Sequence, residues 1–451
     1  MSLGTAHAER FEPSSFEPQH GRLHRAAHAL WALTDQAVVS GGNVLMAIVI
    51  GRTLGAGALG VYTLLFTATI FANSIMEATL SSSFMTRRCE LRGTELRGYN
   101  GANMALSGML IVLLGLGVWA GSAAVAVGAA GHTGGLHVLL AGMVIAYLLR
   151  EQSRRYEFAN LRMAAALRSD TLAYGLQSLA IAVSLLVTRF NIATALFSMT
   201  LGHGTACMLT LMRRRGEFRW HAVPLRRVLA DVFHLSRWVL AAHILFVIGL
   251  QMMPWLVVHE LGSAAAGTYA AAMLLSNMAN PMLTGFLNAM MPVGAAAYPR
   301  GPRAIRQALA QNMALLTGLT AVICLVTAIF ARDLLMLLFG SSYAASAPVV
   351  QTLAASFFIR SLDCGPYVGC WAMRRADQNV IGNLVNIVLG AGLALALMPT
   401  YGVLGAAIGL LIANAATVSL RWWNFLRLLN HEGQKDRSPS PAAIADQEIL
   451  P

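Results

Sequence analysis

Gly51-Arg-Thr-Leu54-Gly55-Ala-Gly-Ala58-Leu-Gly60-Val-Tyr62 returns later in the chain as Val258-His-Glu-Leu261-Gly262-Ser-Ala-Ala265-Ala-Gly267-Thr-Tyr269. Leu, Gly, Ala, Gly and Tyr coincide at a constant offset of 207 residues. Each copy ends one long apolar run and begins another, so each reads as a hairpin turn between two membrane crossings. The copies fall after the first and the seventh crossing and run in the same direction, which predicts a parallel repeat of six plus six helices. Leu-Gly followed by small residues is also ordinary tight-turn composition; matching crossing number and direction favours the repeat. Two such bundles facing each other enclose a cleft that can open to either side.

The residues around these turns set the solvent. The chain has 451 residues, 57% hydrophobic and only 12% charged, against about 25% charged in soluble proteins, and its mean hydropathy is +0.60. That excludes an ordinary water-soluble enzyme. Gly98 to Leu149 spans 52 residues without an acidic or basic side chain other than His, and Gln378 to Leu420 spans 43. Each is too long for one crossing of about 20 residues, so the first is cut at Gly128-Ala-Ala-Gly131-His-Thr-Gly134-Gly135 and the second at Pro399-Thr-Tyr-Gly402. Cutting throughout at Gly, Pro and charge gives twelve crossings: 28 to 51, 60 to 85, 101 to 127, 136 to 158, 169 to 188, 191 to 212, 232 to 258, 267 to 291, 307 to 330, 348 to 373, 379 to 398 and 403 to 424. The expected fold is an all-α integral membrane protein with twelve transmembrane helices in two parallel-repeat six-helix bundles around a central cavity.

A net charge of +12 and a pI near 10.1 raise nucleic-acid binding, and the positions of the cations reject it. Nearly all Arg and Lys residues cluster in the two tails and in alternate connections, Arg87 to Arg97, Arg150 to Arg168, Arg213 to Arg227, Arg300 to Arg306 and Arg374-Arg375. The opposite connections hold only Arg52, Arg189 and Arg332. The positive-inside rule then places both termini in the cytoplasm. The predicted organisation is a disordered tail over 1–27 without signal-peptide features, an N-terminal bundle over 28–212, a basic linker over 213–231, a C-terminal bundle over 232–425 and a disordered tail over 426–451. The linker interleaves cations with Phe218 and Trp220, which suits the anionic inner leaflet. The five Cys residues show neither CxxC nor metal-ligand spacing and read as packing residues, so no metal or cofactor is expected. The longest outer connection, about 331 to 347, leaves no room for an extramembrane catalytic domain.

Four segments in order, Asp35-Gln36, the Gly51 to Tyr62 turn, Leu338-Phe-Gly-Ser-Ser-Tyr-Ala-Ala-Ser-Ala-Pro348 and Pro399-Thr-Tyr-Gly-Val-Leu-Gly-Ala-Ala407, resemble the polysaccharide transporter family. These are the O-antigen and exopolysaccharide flippases of the multidrug/oligosaccharidyl-lipid/polysaccharide (MOP) exporter superfamily. The resemblance covers about residues 28 to 425 and rests on the order and spacing of turn motifs. It implies a bacterial inner-membrane protein that moves undecaprenyl-diphosphate-linked oligosaccharides between leaflets without hydrolysing ATP. Membrane lipids, and a polysaccharide polymerase with its chain-length regulator, are the implied partners.

An ionisable side chain at mid-membrane costs about 2.5–3.5 kcal/mol on insertion scales, so each is a functional candidate. Asp35 and Glu77 lie at similar depth on adjacent antiparallel crossings. Either they share a proton, or Asp35 faces water while Glu77 bonds a neighbour such as Asn73. In the tenth crossing Arg360 and Asp363 are one turn apart and Gly365-Pro366 follows; proline removes a backbone donor there and leaves carbonyls near Leu362 open. Arg360 then either binds a diphosphate or closes an i,i+3 ion pair with Asp363. Asn277, Asn280, Asn288 and Asn383, with Asn386, Gln251 and Asn43, suit sugar hydroxyls or interhelical bonds. His203 and His243 read as packing residues. The candidates are Arg360, Asn277, Asn280, Asn288 and Asn383 for substrate, and Asp35, Glu77 and Asp363 for ion coupling. The rival readings are a cation-coupled drug exporter, a membrane glycosyltransferase or polymerase, and a major-facilitator carrier. The last is disfavoured because Arg87 to Arg97 lacks a Gly-Asp-Arg-Gly-Arg pattern.

Overall fold

The computed structural model describes residues 22–88, 90–128, 135–187, 190–220, 223–297, 300–373 and 375–435. Every regular element among them is helical. In hydrocarbon the backbone finds no water to bond, so each crossing must satisfy its own N–H and C=O groups. In chain order the helices are α1 (Arg22–Met76), α2 (Ser82–Arg88), α3 (Gly93–Gly128), α4 (Leu136–Ala159), α5 (Met163–Val187), α6 (Ile192–Arg214), α7 (Leu225–Leu261) and α8 (Ser263–Ser276). They continue with α9 (Asn280–Ala297), α10 (Pro302–Ile329), α11 (Ala331–Phe339), α12 (Ala347–Ser361), α13 (Cys364–Ala372), α14 (Ala376–Tyr401) and α15 (Val403–Lys435). Among the described residues nine helical stretches are long and apolar enough to cross a bilayer; the chain is a multi-pass membrane protein. One of them, Thr34–Met85, has 52 residues and is bent at Gly55, the one non-helical residue inside α1.

Several boundaries differ from those expected. Helix α1 begins at Arg22 and α15 runs to Lys435, within stretches read as tails; residues 1–21 and 436–451 lie outside the described residues, as do 129–134 of the Gly-rich turn. The connection 331–347 is helical: α11 buries Ala331, Leu335 and Phe339, one residue per turn on a single face, and a 3₁₀ turn over Ser341–Ser346 follows. The eighth crossing is broken between α8 and α9, just before Pro281, which fits the first turn of a helix because its missing N–H would have no partner there. The linker is folded onto the N-terminal half instead of lying free on the leaflet. Phe218 and Val223 are buried with Tyr99, Tyr156 and Val228, and the Arg219 N–H donates to the Arg97 carbonyl at 2.9 Å. Trp220 remains exposed.

The two copies of the opening motif have the same backbone and meet. Gly55 (φ 81, ψ 179) and Gly262 (φ 85, ψ 176) occupy equivalent places and one conformation, open at low cost only to glycine. Five residues on, a Cβ on Gly60 would lie 1.8 Å from the Ser263 carbonyl oxygen, and one on Gly267 would lie 1.8 Å from that of Ala56. The contact is reciprocal, since Ala56 and Ser263 are themselves 207 residues apart. Backbone meets backbone at small residues, the way helices approach where solvent supplies no drive. The Leu338 to Pro348 segment joins this end of the molecule: Arg52 donates to the Leu337 carbonyl at 2.8 Å, and buried Tyr343 donates to the Gly51 carbonyl at 3.3 Å. A Cβ on Gly57 would lie 3.8 Å from Ser263 Oγ, so side chains at 57 and 263 are direct neighbours across the contact. A Gly57→Cys/Ser263→Cys pair should therefore oxidise readily in the purified protein, and adding Gly60→Val should cut the cross-linked fraction several-fold on a non-reducing gel; unchanged cross-linking would mean the halves are not held by this contact.

Candidate functional site

The tenth crossing is interrupted where the sequence places Gly365-Pro366. Helix α12 ends at Ser361 and α13 starts at Cys364. Pro366 has no N–H for the carbonyl four residues earlier, that of Leu362, and the Trp422 indole of α15 supplies the missing donor at 3.1 Å. The break fixes Arg360 in the last turn of α12 and Asp363 at the head of α13.

Both residues face a cavity of about 330 Å³ walled by α7, α8, α9, α12, α13, α14 and α15. Its polar lining includes Gln251, Asn277, Asn280, Asn383, Asn386 and Asn414. Asp363 is ion-paired not with Arg360 but with Arg421 of α15, a buried guanidinium. Arg421 also donates to Asn383 Oδ1 at 3.1 Å and to the Asn379 carbonyl at 3.3 Å. Asn386 donates to Asn414 at 2.8 Å, and Asn414 donates to Ser356 at 2.8 Å. Arg360 is thus left without an ion pair or side-chain hydrogen bond among the described residues. Two guanidiniums and one carboxylate line the cavity, a net charge of one positive.

A second set of charges is buried in the N-terminal half. Arg150 is fully buried and pairs with Asp170 at 2.7 Å and with Glu151. Arg154 pairs with Asp35 at 2.6 Å and with Asp170 at 2.9 Å. The Arg150 guanidinium also stands 5.3 Å from the ring centres of Tyr147 and Tyr174. Glu77, in a π-helical turn over Glu77–Ser81, pairs separately with Arg155 at 2.7 Å. Asp35 Oδ1 and both ring nitrogens of buried His203 have no hydrogen-bond partner. No group of three His, Cys, Asp or Glu side chains suited to a metal ion occurs among the described residues.

A sequence model of a polysaccharide biosynthesis protein family matches residues 49–348, about two thirds of the chain. The chain belongs to that family. A comparison with curated proteins finds no match. Among solved structures, this family member resembles an inward-facing multidrug-resistance MATE transporter of the MOP superfamily, with a TM-score of 0.73 at 17% identity over 90% of this chain and 99% of the other. A MATE transporter from Vibrio cholerae gives 0.64 at 13% identity, covering 90% and 96%. A MOP-superfamily transporter from Pyrococcus furiosus, described as having a binding pocket of reversed polarity, gives 0.63 at 15% identity, covering 90% and 95%. At these identities the likeness establishes the fold.

The cavity brings together Arg360, Asp363, Asn277, Asn280 and Asn383 of the expected residues of this polysaccharide-biosynthesis protein. Asn288 lies on α9, and its side chain is outside the described residues. The proton-sharing Asp35–Glu77 pair is not formed: Asp35 bonds Arg154, which it shares with Asp170, and Glu77 bonds Arg155, both arginines from α4. Asn43 bonds across helices, accepting from Tyr174 at 3.4 Å. Sequence reasoning missed Arg421, assigned to a tail, and Arg150, Arg154 and Arg155, counted as loop cations. The available signal was their position: Arg150 to Arg155 lie inside the 136 to 158 crossing, and Asp170 lies inside the next. Removing one partner of a buried pair strands the other charge, at a cost of about 3–5 kcal/mol. Arg421→Met should therefore lower detergent thermostability markedly, and Asp363→Asn added to it should restore most of the loss; additive losses would deny the pair.

Proposed function

We propose that this protein is a flippase for undecaprenyl-diphosphate-linked oligosaccharide repeat units in the bacterial inner membrane, serving O-antigen, capsule or exopolysaccharide assembly. The observation that carries the reading is the unpaired Arg360 guanidinium in a cavity that also holds six amide side chains, with the neighbouring Asp363 carboxylate already engaged by Arg421. A guanidinium stays charged when desolvated and offers paired donors that match a phosphate. Asn277, Asn280 and Asn383 present amides for sugar hydroxyls, and Asn288 of α9 is proposed as a further substrate contact. Family membership in polysaccharide biosynthesis and the exporter fold support the same substrate class.

Twelve crossings follow if Thr34–Met85 is counted as two, α4 as one and α8 with α9 as one. They form two parallel halves related by the 207-residue offset, with both termini cytoplasmic. The reciprocal Gly60 and Gly267 contact closes the outer end, and rocking of the halves opens it as the inner end shuts. The reaction needs no catalytic residue and no cofactor, and the product passes to a polymerase and its chain-length regulator. A cation-coupled drug exporter would place an unpaired carboxylate in the cavity, where this chain has an unpaired cation.

Coupling is assigned to Asp35. In the buried cluster Asp35, Glu151 and Asp170 oppose only Arg150 and Arg154, one negative charge in excess, whereas Glu77 and Asp363 are each matched by one arginine. A buried excess charge is relieved by binding a proton or a cation. Asp35→Asn should abolish acceleration of flipping by a proton gradient while leaving the ungraded rate; full acceleration in the variant would remove Asp35 from the coupling path. In proteoliposomes carrying undecaprenyl-diphosphate-linked oligosaccharide, Arg360→Ala should slow translocation at least tenfold and Arg360→Lys less. A wild-type rate in Arg360→Ala would contradict the assignment.

A further inference from the structure

The polar cavity does not end at its own walls. Gln251, near the middle of the apolar His243–Leu261 stretch of α7, also lines a second cavity of about 590 Å³. From Gln251 to the end of α7 at Leu261 is ten residues, about 15 Å of helix, so the junction lies near the midplane of a hydrocarbon core about 30 Å thick. The second cavity is a slot between the halves. Phe71, Ala72 and Ile75 of α1 and Gly117 of α3 form one side, and Met252 and Trp255 of α7 form the other. Among its lining residues only Gln251, Thr67 and the Trp255 indole carry side-chain polar atoms, and the Thr67 hydroxyl donates to the Leu64 carbonyl at 2.9 Å. The slot is therefore almost wholly apolar, with the shared glutamine and one indole N–H as its open hydrogen-bonding groups. A Cβ on Gly117 would meet nothing within 4 Å, so this wall opens onto empty space.

We infer that the slot holds the first isoprene units of a polyprenyl chain whose diphosphate sits at Arg360, with Gln251 marking the boundary between head and tail. This rests on the reading of Arg360 as the diphosphate site. Two features choose the occupant. The slot joins the anion-binding cavity at one residue, which suits a single amphiphile with a charged end and an apolar end. Its mostly apolar walls offer water few partners and leave room for aliphatic carbon beside Gly117. The walls belong to both halves, so the chain is gripped by the surfaces that must slide past each other when the cleft changes sides.

The test uses the full chain in nanodiscs, titrated calorimetrically with inorganic diphosphate and with farnesyl diphosphate. The wild type is expected to bind farnesyl diphosphate at least tenfold more tightly than inorganic diphosphate. Gly117→Leu and Ala72→Phe, which fill the slot from two different helices, should each reduce that advantage below threefold with the affinity for inorganic diphosphate unchanged; retained diphosphate binding shows that the variant is folded. Arg360→Ala should lose both ligands. If the wild type gains nothing from the farnesyl chain, or if both slot variants keep the full advantage, the slot is not the tail site while the head site stands. If the wild type binds neither ligand, the diphosphate reading fails and the inference fails with it.

Discussion

The ion pair between Asp363 and Arg421 sets the character of the central cavity. Without it Asp363 would face Arg360 one turn away, and the two would neutralise each other in the cavity. With it, the carboxylate is committed to α15, and the Arg360 charge is left without an ion pair among the described residues. The geometry is forced from below: Pro366 breaks the helix, Trp422 takes up the carbonyl that the proline leaves open, and the break turns Asp363 toward Arg421. A buried pair contributes little net stability. Here its consequence is electrostatic, leaving a net single positive charge in a space lined by amide and apolar side chains.

The N-terminal half treats charge differently. Its buried Arg150, Arg154 and Arg155 are all engaged, and in the cluster around Arg150 and Arg154 the carboxylates outnumber the arginines by one. The two buried clusters therefore present opposite imbalances, a spare cation at the site proposed for an anionic head and a spare anion at the site proposed for coupling. They touch tightly at one end through glycine backbones, which permit close approach without interlocking side chains that would resist separation. Such a contact would suit the parting and re-forming of the halves that the proposed function requires.

Much of the fold was legible because bilayer physics leaves few choices. Long charge-free runs require helices, and the 207-residue offset correctly paired Gly55 with Gly262 and Gly60 with Gly267, which share a conformation and a contact. The break at Gly365-Pro366 was also legible, as was the cavity placement of Arg360, Asn277, Asn280 and Asn383. The charge partners were not. Ion pairs such as Arg150–Asp170 and Arg421–Asp363 join residues 20 and 58 positions apart on different helices, and nothing in local spacing couples them. Counting cations by loop hid these arginines, since a buried paired arginine and a cytoplasmic one look alike in a hydropathy pattern. In the sequence the connection 331–347 reads only as a short outer segment; its helix, with one buried residue per turn over nine residues, is too short a pattern to assign from the sequence.

The central claim is that Arg360 stands free to receive a diphosphate because Arg421 holds Asp363. The most direct measurement is an experimental structure of the protein with undecaprenyl diphosphate bound in lipid. The account predicts phosphate oxygens within hydrogen-bonding distance of the Arg360 guanidinium and Asp363 still on Arg421. A phosphate bound elsewhere, with Arg360 turned onto Asp363, would contradict it.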